Sequence, residues 1–402
     1  MINKIIERTV KWDQVVLKLP VFNAIFTAMQ QTLPLLTISV YLQLIISLFL
    51  KPDAFFIRLF HLSIKVPMLM QLQDLSLLLD LLVLMLFSAI YTGTYLSARH
   101  VFQTTLPVIT NFLGTFFLLL GKDKLLSYDS TQYLLLVIIV TLSSESFVHY
   151  HKKVSRPNVQ PFAMRFLLWA GIILVVNIGL QMVSPSTFIY QAMSSLTANV
   201  FWTSFLGLLL ISCLIPLFFW LGISIPRELV TDQINIPAVV KNLVVVIKNQ
   251  NGSLPYPANL YSVYHAFSQF GGIGNTVVLS FLLLFAVSKK RQNLGLLSLV
   301  PSLFNQNQLL YFGLPIFLRP LMLVPMIITS VVGTLIGYTA IMTHLIKPAT
   351  LVTPSGMPNL LLAFLGSNDG WSLLVVAIIF GLSVIIYMPF IKIQNSETIY
   401  EK

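Results

Sequence analysis

Residues 75–86 read LSLLLDLLVLML, and ten of these twelve positions are Leu, Val or Met. The run belongs to an apolar stretch near 75–97, long enough as a helix to cross roughly 30 Å of hydrocarbon at about 1.5 Å per residue. Working outward, five further stretches in the first half have comparable length, near 28–50, 101–120, 132–149, 166–183 and 199–222. Two more follow near 321–345 and 372–391. Of 402 residues 56% are hydrophobic and 9% charged, whereas a soluble domain carries about 25% charged residues. So few charges cannot cover a soluble surface. The sequence specifies an all-α polytopic membrane protein with about 10 transmembrane helices.

Lys and Arg number 24 against 13 Asp and Glu, a net charge of +11. In a membrane protein this excess reflects retention of basic residues in cytoplasmic loops, and no nucleic-acid partner is needed to explain it. The single Cys213 lies inside an apolar run, which excludes a disulfide framework and a cysteine metal cage. No metal ion or cofactor is expected.

The opening residues 1–20, MINKIIERTVKWDQVVLKLP, scatter charge where a cleavable signal would need a continuous apolar core. They suit an amphipathic interfacial helix, with Ile2, Ile5, Ile6 and Trp12 on one face, Lys4, Arg8 and Lys11 on another, and Glu7 placed to pair with Lys11. Residues 54–66 repeat the pattern, with Arg58, His61 and Lys65 among Phe, Ile and Leu. Both read as ordinary amphipathic connectors. With the N-terminus cytoplasmic, inner connections carry Lys4, Arg8, Lys11 and Lys18, then Arg99, then Lys152, Lys153, Arg156 and Arg165. Outer ones carry Lys51, Arg58, Lys65, Lys122 and Lys124. The C-terminus falls on the cytoplasmic side as well.

The second half departs from simple crossing. Arg227, Lys241 and Lys248 precede an apolar stretch and Lys289, Lys290 and Arg291 follow it, with about 40 residues between the clusters. That interval is broken by Gly252, Pro255, Pro257, Gly271 and Gly272, so one span plus a re-entrant return near 250–275 fits better than two complete helices. A second re-entrant hairpin is expected at 294–318, LGLLSLVPSLFNQNQLLYFGLPIFL, which carries an amide island at Asn305, Gln306, Asn307 and Gln308. Amides are costly in hydrocarbon without partners, and each offers a donor and an acceptor suited to sugar hydroxyls. Irregular backbone at membrane depth is tolerated only where protein buries it or a cavity lies beside it. A ligand or conducted solute is therefore expected there.

Residues 301–320, PSLFNQNQLLYFGLPIFLRP, resemble the pattern Phe-Asn-Ile-Asn-Glu-Pro, Phe-Gly-Leu-Pro-Ile and Asn-Pro of the enzyme IIC permeases of the phosphoenolpyruvate-dependent sugar phosphotransferase system, in the lactose, cellobiose and chitobiose branch. Residues 271–290, GGIGNTVVLSFLLLFAVSKK, resemble its Gly-Gly-Ser-Gly-Ala-Thr block. Residues 28–50, 185–201 and 385–392 agree too, and the resemblance runs through nearly the whole chain. It implies a homodimer in the lipid bilayer of a bacterial cell membrane, with an N-terminal scaffold half (21–198), a C-terminal transport half (199–391) and a cytoplasmic tail (392–402). The sugar, a β-linked disaccharide such as cellobiose, lactose or chitobiose, would receive a phosphoryl group from a separate IIB subunit charged by IIA. The chain itself would hold no self-contained catalytic centre.

Resemblance makes Asn305, Asn307, Gln308, Ser224, Gly271 and Gly272 the candidate sugar-binding residues. Three positions depart from the family pattern. Its Gly-Ile-His-Gly is Gly222-Ile223-Ser224-Ile225, its Glu is Gln308, and its Trp-containing block is Val352-Thr353-Pro354-Ser355-Gly356-Met357-Pro358. Trp371 is the nearby aromatic that could stack on a pyranose ring instead. Without the His and Glu, His265 is the titratable group close to the broken stretch, read chiefly as a hydrogen-bonded structural residue. Arg319, between Leu318 and Pro320, is expected to snorkel to the interface. The alternative function is a degenerate relative that keeps the fold but no longer supports sugar phosphorylation, serving as a scaffold or as carrier for another ligand.

Overall fold

The computed structural model describes residues 2–52, 54–61, 69–101, 104–120, 133–154, 164–183, 200–223, 237–248, 254–351, 353–354 and 356–400. Among these the ordered elements are helices, with no strand. The first is α1 (Ile2–Leu17), followed by α2 (Pro20–Ile45), which Pro20 opens as a helix-compatible first residue and which continues through wide π turns at Ile46–Leu50. Then come α3 (Phe55–Leu59), α4 (Leu69–Ala98), α5 (Thr105–Leu119), α6 (Tyr133–Val154) and α7 (Met164–Val183). Next is α8 (Phe205–Leu221), capped where the Ser204 hydroxyl accepts from the Gly207 amide at 3.1 Å and closed by left-handed Gly222. The amphipathic α9 (Pro237–Ile247) follows it.

From residue 254 the chain changes style. A helical leg, Leu260–His265 running on as Ala266–Ser268, gives way to irregular backbone and then to α10 (Val277–Leu283). A second broken unit follows, with α11 (Lys289–Leu303), an interruption at Phe304–Asn307, and α12 (Gln308–Gly313). The chain ends with α13 (Pro320–Met342), α14 (Asn359–Ser367) and the long α15 (Trp371–Tyr400). Each apolar stretch expected to span thus contains a helix, with ends shifted by up to nine residues. Among the described residues five segments are long and apolar enough to cross a membrane, Pro20–Leu50, Leu69–Ala98, Tyr133–His151, Pro320–Met342 and Trp371–Ile393, and shorter apolar helices accompany them.

Helices α2 and α4 pack along much of their length, and α4 also meets α5 and α6. Polar groups in this apolar packing are matched to partners, as buried groups must be. Asp80 accepts from the Ser39 hydroxyl at 2.6 Å and from Gln43 Nε2 at 2.5 Å. Asn111 on α5 donates to the Thr92 hydroxyl at 2.8 Å and accepts from Ser143 at 2.7 Å. In the second half, α13 packs on α8, on α15 and on the leg 260–268. Gly333 and Gly337 permit that last approach, since a Cβ on Gly333 would lie 2.2 Å from the Phe267 carbonyl oxygen.

The structure overturns the expectation that Arg319 snorkels. Its side chain is buried at 7% exposure and pairs with Asp13 of α1, which is 0% exposed. Arg319 Nη2 and Nε donate to Asp13 Oδ2 at 2.9 and 3.0 Å, and the Leu321 amide donates to Oδ1 at 3.3 Å. The Trp220 indole at the end of α8 donates to the Arg319 carbonyl at 2.8 Å. One buried ion pair therefore ties the N-terminal helix to the junction of the second broken unit with α13. Among the described side chains of α1 the buried ones are Thr9 and Asp13, whereas Trp12 is left 72% exposed.

Candidate ligand site between two broken hairpins

The two interruptions meet inside the protein. The first covers Gln269–Thr276, where Gly271, Gly272 and Gly274 all take positive φ, at 73°, 107° and 76°. Gly272 shows why side chains are excluded, because a Cβ there would sit 2.7 Å from Nδ2 of Asn307 in the second interruption. The expected glycine pair and the expected amide island thus touch. The backbone groups released by the first break are recovered locally. Thr276 donates to the Gly271 carbonyl at 2.7 Å, the Phe270 amide donates to Asn275 Oδ1 at 2.9 Å, and Thr329 donates to the Gly274 carbonyl at 3.1 Å. The Tyr387 hydroxyl of α15 also donates to the Gly274 carbonyl. These bonds leave the irregular backbone of Gln269–Thr276 enclosed by protein, with its side chains buried.

The second interruption is shaped by Pro301, after which the Gln306 amide donates to the Pro301 carbonyl at 2.9 Å and Asn305 turns left-handed at φ 65°. Asn accepts that conformation more readily than most residues. Asn305 Nδ2 donates to the Met357 carbonyl at 2.9 Å and to Asn359 Oδ1 at 3.0 Å, and its Oδ1 accepts from the Asn359 amide at 3.4 Å. Asn359 Nδ2 in turn donates to the Gln269 carbonyl at 3.1 Å. Asn359 opens α14 and is 2% exposed. Sequence reading passed over it because a lone amide ahead of an apolar run looks like a helix cap.

Of the sequence-derived candidates, the structure brings together Asn305, Asn307, Gln308, Gly271 and Gly272. Gln308 opens α12 directly after the break. Ser224 lies outside the described residues. Trp371 does not join the group. It begins α15, 65% exposed, beyond the whole of α14 from Asn359, a separation of about 13 Å along that helix. Aromatic rings nearer the island are Phe304 itself and Phe55 and Phe56 of α3, at ring-centre distances of 6.5 and 6.2 Å. His265 is buried at 1% exposure in the first helical leg, beside the Tyr264 ring. Among the described residues the hydrogen-bond partners of the Asn305 side chain are amide or main-chain groups. The geometry suits recognition of hydroxyl groups by neutral donors and acceptors, and Asn305 meets neither a carboxylate nor an imidazole in those bonds.

Comparison with known proteins gives the family context. The cellobiose-specific EIIC component of the phosphotransferase system of Lactococcus lactis is 32% identical over 134 residues, covering 33% of this chain and 27% of that protein. The lichenan permease IIC component of Bacillus subtilis is 34% identical over 135 residues, 33% of this chain and 30% of that protein. The lactose-specific EIICB component of Staphylococcus aureus is 30% identical over 135 residues and is matched over 24% of its length. Over about a third of its length the chain is similar to EIIC components of sugar phosphotransferase systems. The match spans between about a quarter and a third of the length of these curated relatives. No family model matches the chain. Among solved structures, ChbC, the IIC component of the N,N'-diacetylchitobiose-specific phosphotransferase system, aligns over 98% of this chain and 97% of its own, with 20% identity and a TM-score of 0.43.

Proposed function

We propose that the chain is the membrane IIC subunit of a sugar phosphotransferase system, translocating a β-linked disaccharide of the cellobiose, lactose or chitobiose kind. In this reading IIB, recharged by IIA, phosphorylates the sugar at the cytoplasmic face, and two copies of the chain form a homodimer through the half nearer the N-terminus. The observation that carries the proposal is the meeting of the two interruptions at Gly272 and Asn307, which sets an amide cluster among the helices of the second half of a chain similar to EIIC components. Candidate recognition residues are Asn305, Asn307, Gln308, Ser224, Gly271 and Gly272.

Orientation follows from charge. The Asp13–Arg319 pair puts α1 beside the exit of the second broken unit, and Lys289, Lys290 and Arg291 mark that unit's entry. The excess of Lys and Arg favours the cytoplasm for the shared side, and so for the N-terminus; the C-terminus is assigned there with it. Catalytically the chain contributes binding and orientation. The phosphoryl group and the acceptor for the sugar hydroxyl's proton come from the partner subunit.

The test is calorimetric titration of the purified protein with cellobiose, lactose and diacetylchitobiose. Heat of binding with at least one is expected, and silence with all three rejects the reading. A second reading, a carrier that binds a ligand without supporting phosphorylation, is favoured by one observation: Gln308 stands where the family pattern has a Glu. Sugar binding without phosphorylation by any IIB partner would select it.

A further inference from the structure

The amide island divides into two functional parts, a division that rests on the sugar-site reading. Both Nδ2 hydrogens of Asn305 are committed, one to the Met357 carbonyl and one to Asn359 Oδ1, while its Oδ1 faces the Asn359 amide. The network also fixes which amide atom is which, since a flipped Asn305 would set oxygen against two acceptors. Asn359 carries the link onward to the Gln269 carbonyl in the other interruption. Asn307 and Gln306 differ. The Asn307 side chain lies against Gly272 and has no hydrogen-bond partner among the described residues, and neither has the enclosed Oε1 of Gln306. An enclosed amide oxygen without a partner is costly, and a ligand hydroxyl would remove that cost.

We propose that Asn359 is a positioning residue that locks Asn305 as a strut between the two interruptions, leaving Gln306 and Asn307 to read the ligand. The ligand class is an uncharged, hydroxyl-rich molecule, because the reading groups are neutral amides that can donate and accept but cannot balance a charge. Asn305 and Asn359 then act on affinity jointly, through geometry, and Asn307 acts on it directly.

The experiment is cellobiose and diacetylchitobiose titration into the full-length protein in detergent, alongside its thermal midpoint. Asn307→Ala is expected to weaken binding about fivefold to tenfold without moving the midpoint. Asn305→Ala and Asn359→Ala should each weaken it, and the double variant should be no weaker than the worse single, the non-additivity expected of groups in one network. Multiplication of the two single effects would overturn the strut. Asn305→Asp gives opposite signs for the two roles and serves where an alanine variant does not fold. A carboxylate touching sugar directly would hold or strengthen binding through charge-assisted bonds, whereas a strut carboxylate facing the Met357 carbonyl and Asn359 Oδ1 weakens it. If wild-type protein binds neither disaccharide, the sugar-site reading fails as a whole; if it binds both and Asn305→Asp binds more tightly, the strut alone fails.

Discussion

Replacing Asp13 by Ala tests the junction that joins α1 to the start of α13. The change leaves Arg319, at 7% exposure, without its carboxylate. It also strips an acceptor from the Leu321 amide. Breaking one side of a buried ion pair costs about 3–5 kcal/mol. Only part of that need appear in global stability, because α1 packs on α13 and α2 at the edge of the structure and can leave its seat. Once it leaves, water reaches Arg319 and the penalty ends. The full effect therefore belongs to local opening of α1 rather than to unfolding of the bundle. At about 1.4 kcal/mol per factor of ten, a loss of 3 kcal/mol raises the open fraction roughly a hundredfold. Hydrogen–deuterium exchange read by mass spectrometry on peptides covering residues 2–17 reports this directly. The expected result is a large gain in uptake there, with little change in α4 or α15. Joint replacement of Asp13 and Arg319 by Leu should restore much of the protection, since no lone charge remains buried. Wild-type exchange across residues 2–17 in Asp13→Ala would refute the reasoning, because the pair would then contribute nothing to docking.

Gly272→Ala should damage the site through backbone and contact together: φ is +107°, and the new Cβ would meet Asn307 Nδ2 at 2.7 Å. A destabilisation of about 1–3 kcal/mol and a loss of sugar binding are expected, and unchanged melting with unchanged titration would count against the packed meeting of the interruptions. Gln308→Glu should strengthen disaccharide binding, by up to about tenfold if one neutral bond becomes charge-assisted; an equal or weaker heat signal would mean that the position does not meet sugar. Trp371→Ala is expected to leave affinity within about twofold of wild type, given its 65% exposure beyond α14, and a large loss would restore Trp371 as a stacking residue.

The elements were legible where local pattern decides them. Continuous apolar runs gave the helices, and Gly271, Gly272 and the 305–308 amides marked the two places where helix is interrupted, because irregular backbone and clustered polar side chains stand out in so apolar a chain. What remained hidden depends on which residues distant in sequence become neighbours. Asp13 is one acid in a mixed-charge opening segment, and nothing local separates it from Glu7. Its partner lies 306 positions away, so Arg319 read in isolation pointed to water. Trp371 failed for the converse reason. Thirteen positions after the loop residue Pro358 it is close in sequence, but α14 carries it away from the island.

Asn359 shows most clearly how the site depends on what sequence pattern does not display. An amide can serve a ligand only if its own donors and acceptors are not already spent, and composition reports the number of amides without reporting their commitments. Asn305 matches the family pattern and Asn359 does not figure in it, yet the hydrogen bonds consume Asn305 and make Asn359 the piece that holds both interruptions in register. The same accounting bears on the chemistry. A sugar hydroxyl that attacks a phosphoryl group must lose its proton, and a neutral amide has no useful basicity to receive it. With Gln308 at the position of the family's Glu, the proposed division of labour moves proton acceptance to the phosphorylating partner. The chain's own contribution then reduces to selecting a neutral glycan and holding it still, a role to which a cluster of positioned amides is well suited.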